Sequence, residues 1–118
     1  MAEVVAHITH YRCTLGYPNH PLLTASIECD TAEGHLINIG FVAVGTQLLL
    51  QVTRPLYPDY PEYAGRFTAL LTASEDRFAW YLDLLRNESV VAVLDTNTGA
   101  TNRLESGWSA NAWGQNFT

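Results

Sequence analysis

Two histidines near the start of the chain, in the segment His7-Ile8-Thr9-His10, have the side chains needed for metal or phosphate chemistry. Histidine is a common metal ligand, and His-x-Thr is half of a paired motif of phosphoesterases. The surrounding residues predict a β-strand, on which residues three apart point to opposite faces, so His7 and His10 cannot bind one ion. A phosphoesterase also needs a second His-x-Thr/Ser element, which the sequence lacks. We therefore predict no metal site and no cofactor.

A thiol beside an imidazole is the second arrangement that could support chemistry. The strand register derived below places Cys29 opposite His7 on the buried face of a sheet, where an imidazole can stabilise a thiolate nucleophile. A small buried thiol beside a hydrogen-bonded histidine would show the same pattern, and buried cysteines are common. We keep His7 and Cys29 as candidate catalytic residues but favour the second interpretation, and with it a protein that is not an enzyme.

The opposite face of the predicted sheet carries polar side chains that could form the floor of a small-molecule site. Gly40 lies among them and leaves room for a ligand because it has no side chain. A sheet face that is simply exposed to water has a similar composition, and this is the commoner case. The candidate ligand-binding residues are His10, Arg12, Ser26, Glu28, Asn38 and Gln51.

Large aromatic side chains form the third group of candidates. Residues 55–63 repeat a proline every third position, which is the period of a polyproline II helix, so we expect the three tyrosines of this repeat along one edge. Aromatic residues are enriched at protein interfaces, whereas folding back onto the same domain is the alternative explanation. The candidate interface residues are Tyr57, Tyr60, Tyr63, Trp80, Trp108, Trp113 and Phe117.

The C-terminal tail, residues 106–118, differs from the rest of the chain because it has no charged side chain after Glu105 but holds three large aromatic ones. Such rings bury a large area when they dock, and in water they would promote association. We therefore predict that the tail is ordered and contacts either its own domain or a second copy of the chain.

Composition and charge limit the possible functions. The chain has 118 residues, 47% of them hydrophobic and 15% charged, with a formal net charge of −6. These values are typical of one globular domain, which we place at residues 1–105. The basic residues are all arginines and are scattered, so no basic stripe is available for nucleic acid. No apolar run has the length of a membrane span and no signal peptide is recognisable, so we predict no membrane association and a cytoplasmic location.

The first half of the chain predicts an antiparallel β-meander. Thr31-Ala32-Glu33-Gly34 suits a three-residue hairpin loop, and Gly45-Thr46 suits a type II′ turn with Gly45 at its first corner and a positive φ. Between such turns, apolar and polar side chains alternate in four segments. These segments are residues 3–15, 22–30, 35–44 and 47–54.

The turns define a register in which apolar side chains meet across all four strands. With a five-residue first loop, Cys13 lies opposite Leu23, which is six residues before Cys29 on the second strand. This separation is about 20 Å at ~3.3 Å per residue, so we predict two reduced, unpaired cysteines. The predicted pairs are Tyr11–Ala25, Cys13–Leu23 and His7–Cys29, then Cys29–Ile37, Ile27–Ile39 and Ala25–Phe41, then Ala43–Leu48, Phe41–Leu50 and Ile39–Val52.

The second half of the chain predicts further strands and one helix. Residues 66–73 favour a fifth strand, with a short helix as the alternative. Ser74 suits the N-cap of a helix that continues to about Asn87, and Phe78, Tyr81, Leu82 and Leu85 share its apolar face. Residues 90–94 and 100–105 predict a C-terminal hairpin. The predicted fold class is α+β, with a four- or five-stranded antiparallel β-meander, one long helix on its apolar face and this hairpin.

Two classes of function are compatible with these features. The first is a non-catalytic interaction or assembly module that forms homo-oligomers or binds a protein partner through its exposed aromatic side chains. The alternative is a small-molecule-binding protein or enzyme, with a site on the polar sheet face or at His7 and Cys29. We favour the first, because aromatic side chains without nearby charge suit protein contact better than catalysis.

Overall fold

A computed structural model of the chain describes residues 3–16, 22–48, 51–87 and 89–107. Helix α1 comprises Phe78–Asn87, directly after a 3-10 turn at Glu75–Arg77, and a second 3-10 turn lies at Pro61–Tyr63. No helix of the described ranges has the length and apolar character needed to cross a bilayer. The strands are β1 (Glu3–Leu15), β2 (Leu23–Thr31), β3 (Leu36–Val42), β4 (Val52–Pro55), β5 (Phe67–Ser74), β6 (Ser89–Asp95) and β7 (Arg103–Gly107).

The seven strands form one sheet in the order β4-β5-β3-β2-β1-β6-β7. All neighbours are antiparallel except β3 and β5, which are parallel, so the sheet is mixed. It curls into a half-barrel, and the chain is mostly β with one short helix. The predicted α+β fold, a four- or five-stranded antiparallel meander with one long helix, is therefore wrong.

The β2–β3 hairpin has the predicted register. Ile27 pairs with Ile39 and Cys29 pairs with Ile37. At the turn, the Gly34 N–H donates to the Thr31 carbonyl at 3.1 Å, and Gly34 has a φ of +85°. The Thr31 hydroxyl also accepts a hydrogen bond from the His35 N–H at 2.9 Å, and this closes the end of the hairpin. The register is right because the residues of this turn determine it locally.

The predicted register of β1 is wrong by four residues. Tyr11, not His7, lies opposite Cys29, and Cys13 lies opposite Ile27. The predicted five-residue loop is too short, since the Gly16 N–H bonds to the Thr24 carbonyl at 2.8 Å. A shift of four is even, so residues 10–15 keep their predicted faces. A β-bulge between Ile8 and His10 reverses the faces of the residues before it, which pair with β6 instead.

The predicted hairpin after β3 does not form. The Thr46 N–H bonds to the Ala43 carbonyl at 2.9 Å, so Gly45 is the third residue of a four-residue turn, and its φ of +88° suits a type II turn. The positive φ is confirmed, whereas the type II′ position is wrong. Beyond this turn the chain leaves the sheet, and β4 pairs with β5 rather than with β3. Residues 49–50 lie outside the described ranges.

The helix ends at Asn87 as predicted, but it is shorter, because Glu75–Arg77 form a 3-10 turn and the α-helix begins only at Phe78. Ser74 precedes the 3-10 turn without a capping hydrogen bond from its side chain, and α1 has 10 residues. The ring of Phe41 packs edge-on against Phe78 and Tyr81, with centroids 5.1 and 5.5 Å apart. Leu85 is buried and Leu82 packs on the same cluster, so the predicted apolar face is confirmed. The prediction of a strand at residues 66–73 is confirmed by β5.

The two ends of the sheet meet at one place, which we call the closing contact: β4 against the β6–β7 turn, residues 96–102. The buried Asn102 side chain donates to the Val52 carbonyl at 3.1 Å and accepts from the Thr53 hydroxyl at 2.9 Å and the Asp95 N–H at 2.8 Å. A Cβ on Gly99 would lie 2.3 Å from the carbonyl carbon of Val52. The contact therefore requires glycine at one position and a side-chain amide at another.

Candidate functional site

His7 and Cys29 are not brought together. The His7 ring nitrogen Nδ1 lies 2.5 Å from one carboxylate oxygen of Glu33, and the main-chain N–H of His7 donates to the other at 2.8 Å. Partial burial pushes the pKa of Glu33 upward, but these bonds from His7 outweigh it and hold that pKa below its usual value. Cys29 is buried, and this burial raises the pKa of its thiol to about 12. The thiol is therefore protonated near neutral pH, and the structure does not support a nucleophilic pair.

The two cysteines are close, contrary to the predicted separation. Cys13 lies opposite Ile27, two residues from Cys29, so the thiols are diagonal neighbours on adjacent strands. Both are free, with Cys13 exposed and Cys29 buried. Side chains in this diagonal relation are farther apart than a disulfide requires. The predicted absence of a bond is confirmed, although the reason given for it is wrong.

Three of the predicted ligand-binding residues meet in an open groove of about 520 Å³ on the outer sheet face. His10, Arg12 and Glu28 line it together with Tyr11 and Asp30. Arg12 forms an ion pair with Glu28, and 75% of the Arg12 side chain is exposed. The groove is therefore polar and open, and its arginine already has an acidic partner.

The other three predicted ligand-binding residues lie elsewhere. Asn38 pairs with Glu28 across the strands, at the rim of a neighbouring depression. Ser26 is buried, and its hydroxyl makes no hydrogen bond in the described ranges. Gln51 bonds to the Asn102 carbonyl at 3.1 Å and so belongs to the closing contact.

The space expected above Gly40 is occupied by Leu23. A Cβ on Gly40 would lie 2.9 Å from a methyl carbon of Leu23. A ligand therefore has no room there, and the predicted convergence of polar side chains around Gly40 is wrong. Among the described residues, no group of three or more His, Cys, Asp or Glu side chains could hold a metal ion.

The proline and tyrosine repeat folds into a compact loop, which we call the tyrosine loop, residues 56–66. The Leu56 N–H donates to the Arg66 carbonyl at 2.9 Å and closes its base. Successive turns follow, in which the N–H groups of Tyr60, Tyr63 and Arg66 each bond to the carbonyl three residues earlier at 3.0 Å. The predicted polyproline II edge is wrong, because a polyproline II segment has no such internal hydrogen bonds.

The three tyrosine rings of this loop form one cluster. The Tyr57 ring lies edge-on to Tyr63 and to Tyr60, with centroids 4.9 and 6.4 Å apart. Tyr57 and Tyr60 nevertheless expose 51% and 56% of their surface. The Arg66 guanidinium lies 5.6 Å from the Tyr63 ring centroid, over its face. A groove of about 260 Å³ runs between these side chains.

His35, which the sequence analysis did not identify, supports the base of the tyrosine loop. Its buried ring accepts a hydrogen bond at Nδ1 from the Phe67 N–H, at 3.0 Å. Burial lowers the pKa of His35, the nearby charge of Glu33 raises it and that of Arg66 lowers it further. One signal was present in the sequence: His35 shares the two-residue period of the buried residues Ile37 and Ile39.

The remaining predicted interface residues fall into two groups. Trp80 is exposed on α1, as predicted, with its ring edge-on to Tyr81 at 5.2 Å. Trp108, Trp113 and Phe117 lie outside the described residues, so the predicted order of the tail stays a prediction.

No family model, curated protein or solved structure matches the chain. A function must therefore be inferred from the side chains of the polar groove and of the tyrosine loop.

Proposed function

We propose that this protein is a non-catalytic interaction module and that the tyrosine loop is its contact surface for another protein molecule. The observation that carries the proposal is the tyrosine cluster. Two rings expose about half of their surface while packing against each other on a loop closed by main-chain hydrogen bonds. An aromatic surface of this kind is ready to bind before a partner arrives.

The energetics of protein contacts support this use of the loop. Tyrosine and arginine are over-represented among residues that contribute most to binding, and Tyr57, Tyr60 and Arg66 supply both types. Tyrosine also loses little conformational entropy on binding, because it has only two side-chain torsions. The main-chain turns reduce this cost further, since the loop does not have to be ordered by the partner.

The polar groove offers less support for the alternative, a small-molecule site. Arg12 is already paired with Glu28, and a ligand would have to compete both with that carboxylate and with water. Exposed ion pairs in water contribute little energy, so little would be gained by exchanging one for a ligand contact. In the tyrosine loop, Arg66 lies over the Tyr63 ring, whereas the Tyr57 and Tyr60 rings have no cation over them in the described part of the chain and stay about half exposed.

A second copy of the chain is the first partner to test, by sedimentation equilibrium over about two orders of magnitude in concentration. We expect the wild-type mass to rise above that of one chain with concentration, and the double variant Tyr57→Ala/Tyr60→Ala to stay monomeric. Trp80→Ala is the matched control, because it removes an equally exposed aromatic ring from a different element. Association lost only with Trp80→Ala would contradict the proposal.

A further inference from the structure

The tyrosine loop carries charges of both signs that have no acidic or basic partner in the described part of the chain. Asp59, Glu62 and Arg66 are exposed and take part in none of its ion pairs. Arg12 and Arg103, by contrast, are each paired with a carboxylate. A net charge of −6 makes copies of the chain repel each other, so any self-association needs local charge compensation.

The Arg66 side chain is held in a position from which it can pair with a carboxylate of another copy. Its guanidinium lies over the Tyr63 ring, and its side chain passes close to Gly34, where a Cβ would be 3.0 Å from Arg66 Cδ. A side chain held on two sides loses less entropy when it forms an ion pair. Its donors remain open to carboxylates that approach from outside.

Carboxylates that could pair with Arg66 of another copy belong to the same loop. Asp59 and Glu62 flank Tyr60-Pro61, so one turn presents two carboxylates and an exposed aromatic ring. The receiving half is the groove of about 260 Å³ beside Arg66, which is lined by Tyr57, Tyr63 and Tyr60 itself and has room for one aromatic side chain of another copy. The loop therefore contains both a binding groove and a segment with the chemistry to fill it.

We propose that the partner of the tyrosine loop is the same loop of a second copy, in a two-fold symmetric dimer. Arg66 of each copy faces Asp59 and Glu62 of the other, and the exposed Tyr60 ring of each enters the groove of the other. A self-complementary surface of this kind closes at two copies, because each loop is then occupied. This inference rests on the proposed function, and it adds the identity of the partner and the pairing of charges.

Charge reversal tests the pairing directly. Arg66→Glu makes the loop wholly acidic, whereas the double variant Asp59→Arg/Glu62→Arg makes it wholly basic. Each variant alone faces like charges across the dimer, so its dissociation constant should rise about tenfold or more. An equimolar mixture faces opposite charges at both sites, so it should form a heterodimer close to wild-type affinity. Sedimentation equilibrium of each variant and of the mixture measures this.

The controls separate misfolding and loss of the proposed function from failure of this inference. Arg77→Glu reverses an exposed arginine outside the loop and should associate like wild type. Urea unfolding of each variant alone checks that it is folded, and recovery in the mixture could not come from unfolded chains. If both reversed variants associate like wild type while Tyr57→Ala/Tyr60→Ala does not, the charge pairing is wrong and the contact surface stands. A wild type that stays monomeric would overturn the two-fold dimer.

Discussion

The β2–β3 hairpin joins two neighbouring strands, whereas the closing contact joins β4 to the β6–β7 turn. The two are stabilised by different kinds of hydrogen bonds. In the hairpin, four consecutive residues make the turn, and Thr31 bonds to His35. In the closing contact, the residues that bond to each other are 49 and 50 positions apart in the chain. The hairpin can therefore form before the rest of the sheet, whereas the closing contact needs the curled sheet to exist.

Two glycines show the same contrast. Gly45 and Gly99 have φ values of +88° and +93°, so both adopt a conformation that other residues disfavour. A Cβ on Gly45 would meet nothing within 4 Å, whereas one on Gly99 would lie within 2.4 Å of the β4 backbone. The turn needs glycine only for its φ, and the closing contact needs it for space as well.

The largest effect is expected from Gly99→Ala compared with Gly45→Ala. Both changes introduce strain of about 1–2 kcal/mol from the left-handed conformation. Only Gly99→Ala also forces the turn away from β4, so we expect a total loss of about 3–5 kcal/mol in the free energy of unfolding. Urea unfolding measures both variants. Equal losses would show that the closing contact adds no steric requirement.

An intermediate effect is expected from removing the buried amide of the closing contact. Asn102→Ala leaves the Val52 carbonyl and the Asp95 N–H without their partner, and we expect a loss of about 2–3 kcal/mol. Thr31→Val in the hairpin is the matched comparison, with an expected loss of about 1 kcal/mol because local main-chain bonds remain. A Thr31→Val loss larger than that of Asn102→Ala would reverse this comparison.

The smallest effect concerns His35, which joins the hairpin to β5. Because burial lowers its pKa in the folded protein, the unfolded chain binds a proton more readily. Stability from this group is complete above the ordinary histidine value of 6.5 and decreases as the pH falls below it. Protonation also removes the acceptor of the Phe67 N–H bond. We expect stability measured by urea unfolding to fall from neutral pH towards pH ~5.

His35→Asn is the control for this pH dependence. The asparagine oxygen can accept the Phe67 N–H bond near the position of Nδ1 but does not titrate. The variant should therefore be less sensitive to pH in this range than the wild type. The lowered carboxyl pKa values of Glu33 and Asp95 act only in stronger acid, below their ordinary values of 4.5 and 3.8. An unchanged pH profile in His35→Asn would exclude His35 as the sensitive group.

The candidate surfaces were predicted from the sequence in part. Arg12 and Glu28 do lie together, but as directly opposed residues, because the register of β1 is shifted by four. Gln51 lies at the closing contact and not on the outer sheet face, because β4 pairs with β5 rather than with β3. The exposed tyrosines were identified from their repeat, whereas their mutual packing depends on turns that a proline spacing does not specify. His35 was missed because its acceptor role depends on Phe67, which is 32 residues away.

The sequence by itself determined the features that depend on neighbouring residues. These are the Thr31–Gly34 turn and the β2–β3 register, the apolar face of α1, and the strand character of β5 and β6. Tertiary structure decided which strands lie side by side: β5 beside β3, β6 beside β1, and the β6–β7 turn against β4. Alternation of apolar and polar residues shows which side of a strand is buried. It does not show which strands pair, because any strand with an apolar face can lie beside another such strand. A register shift of an even number of residues also leaves the buried faces unchanged, so only contacts between distant segments select the final pairing.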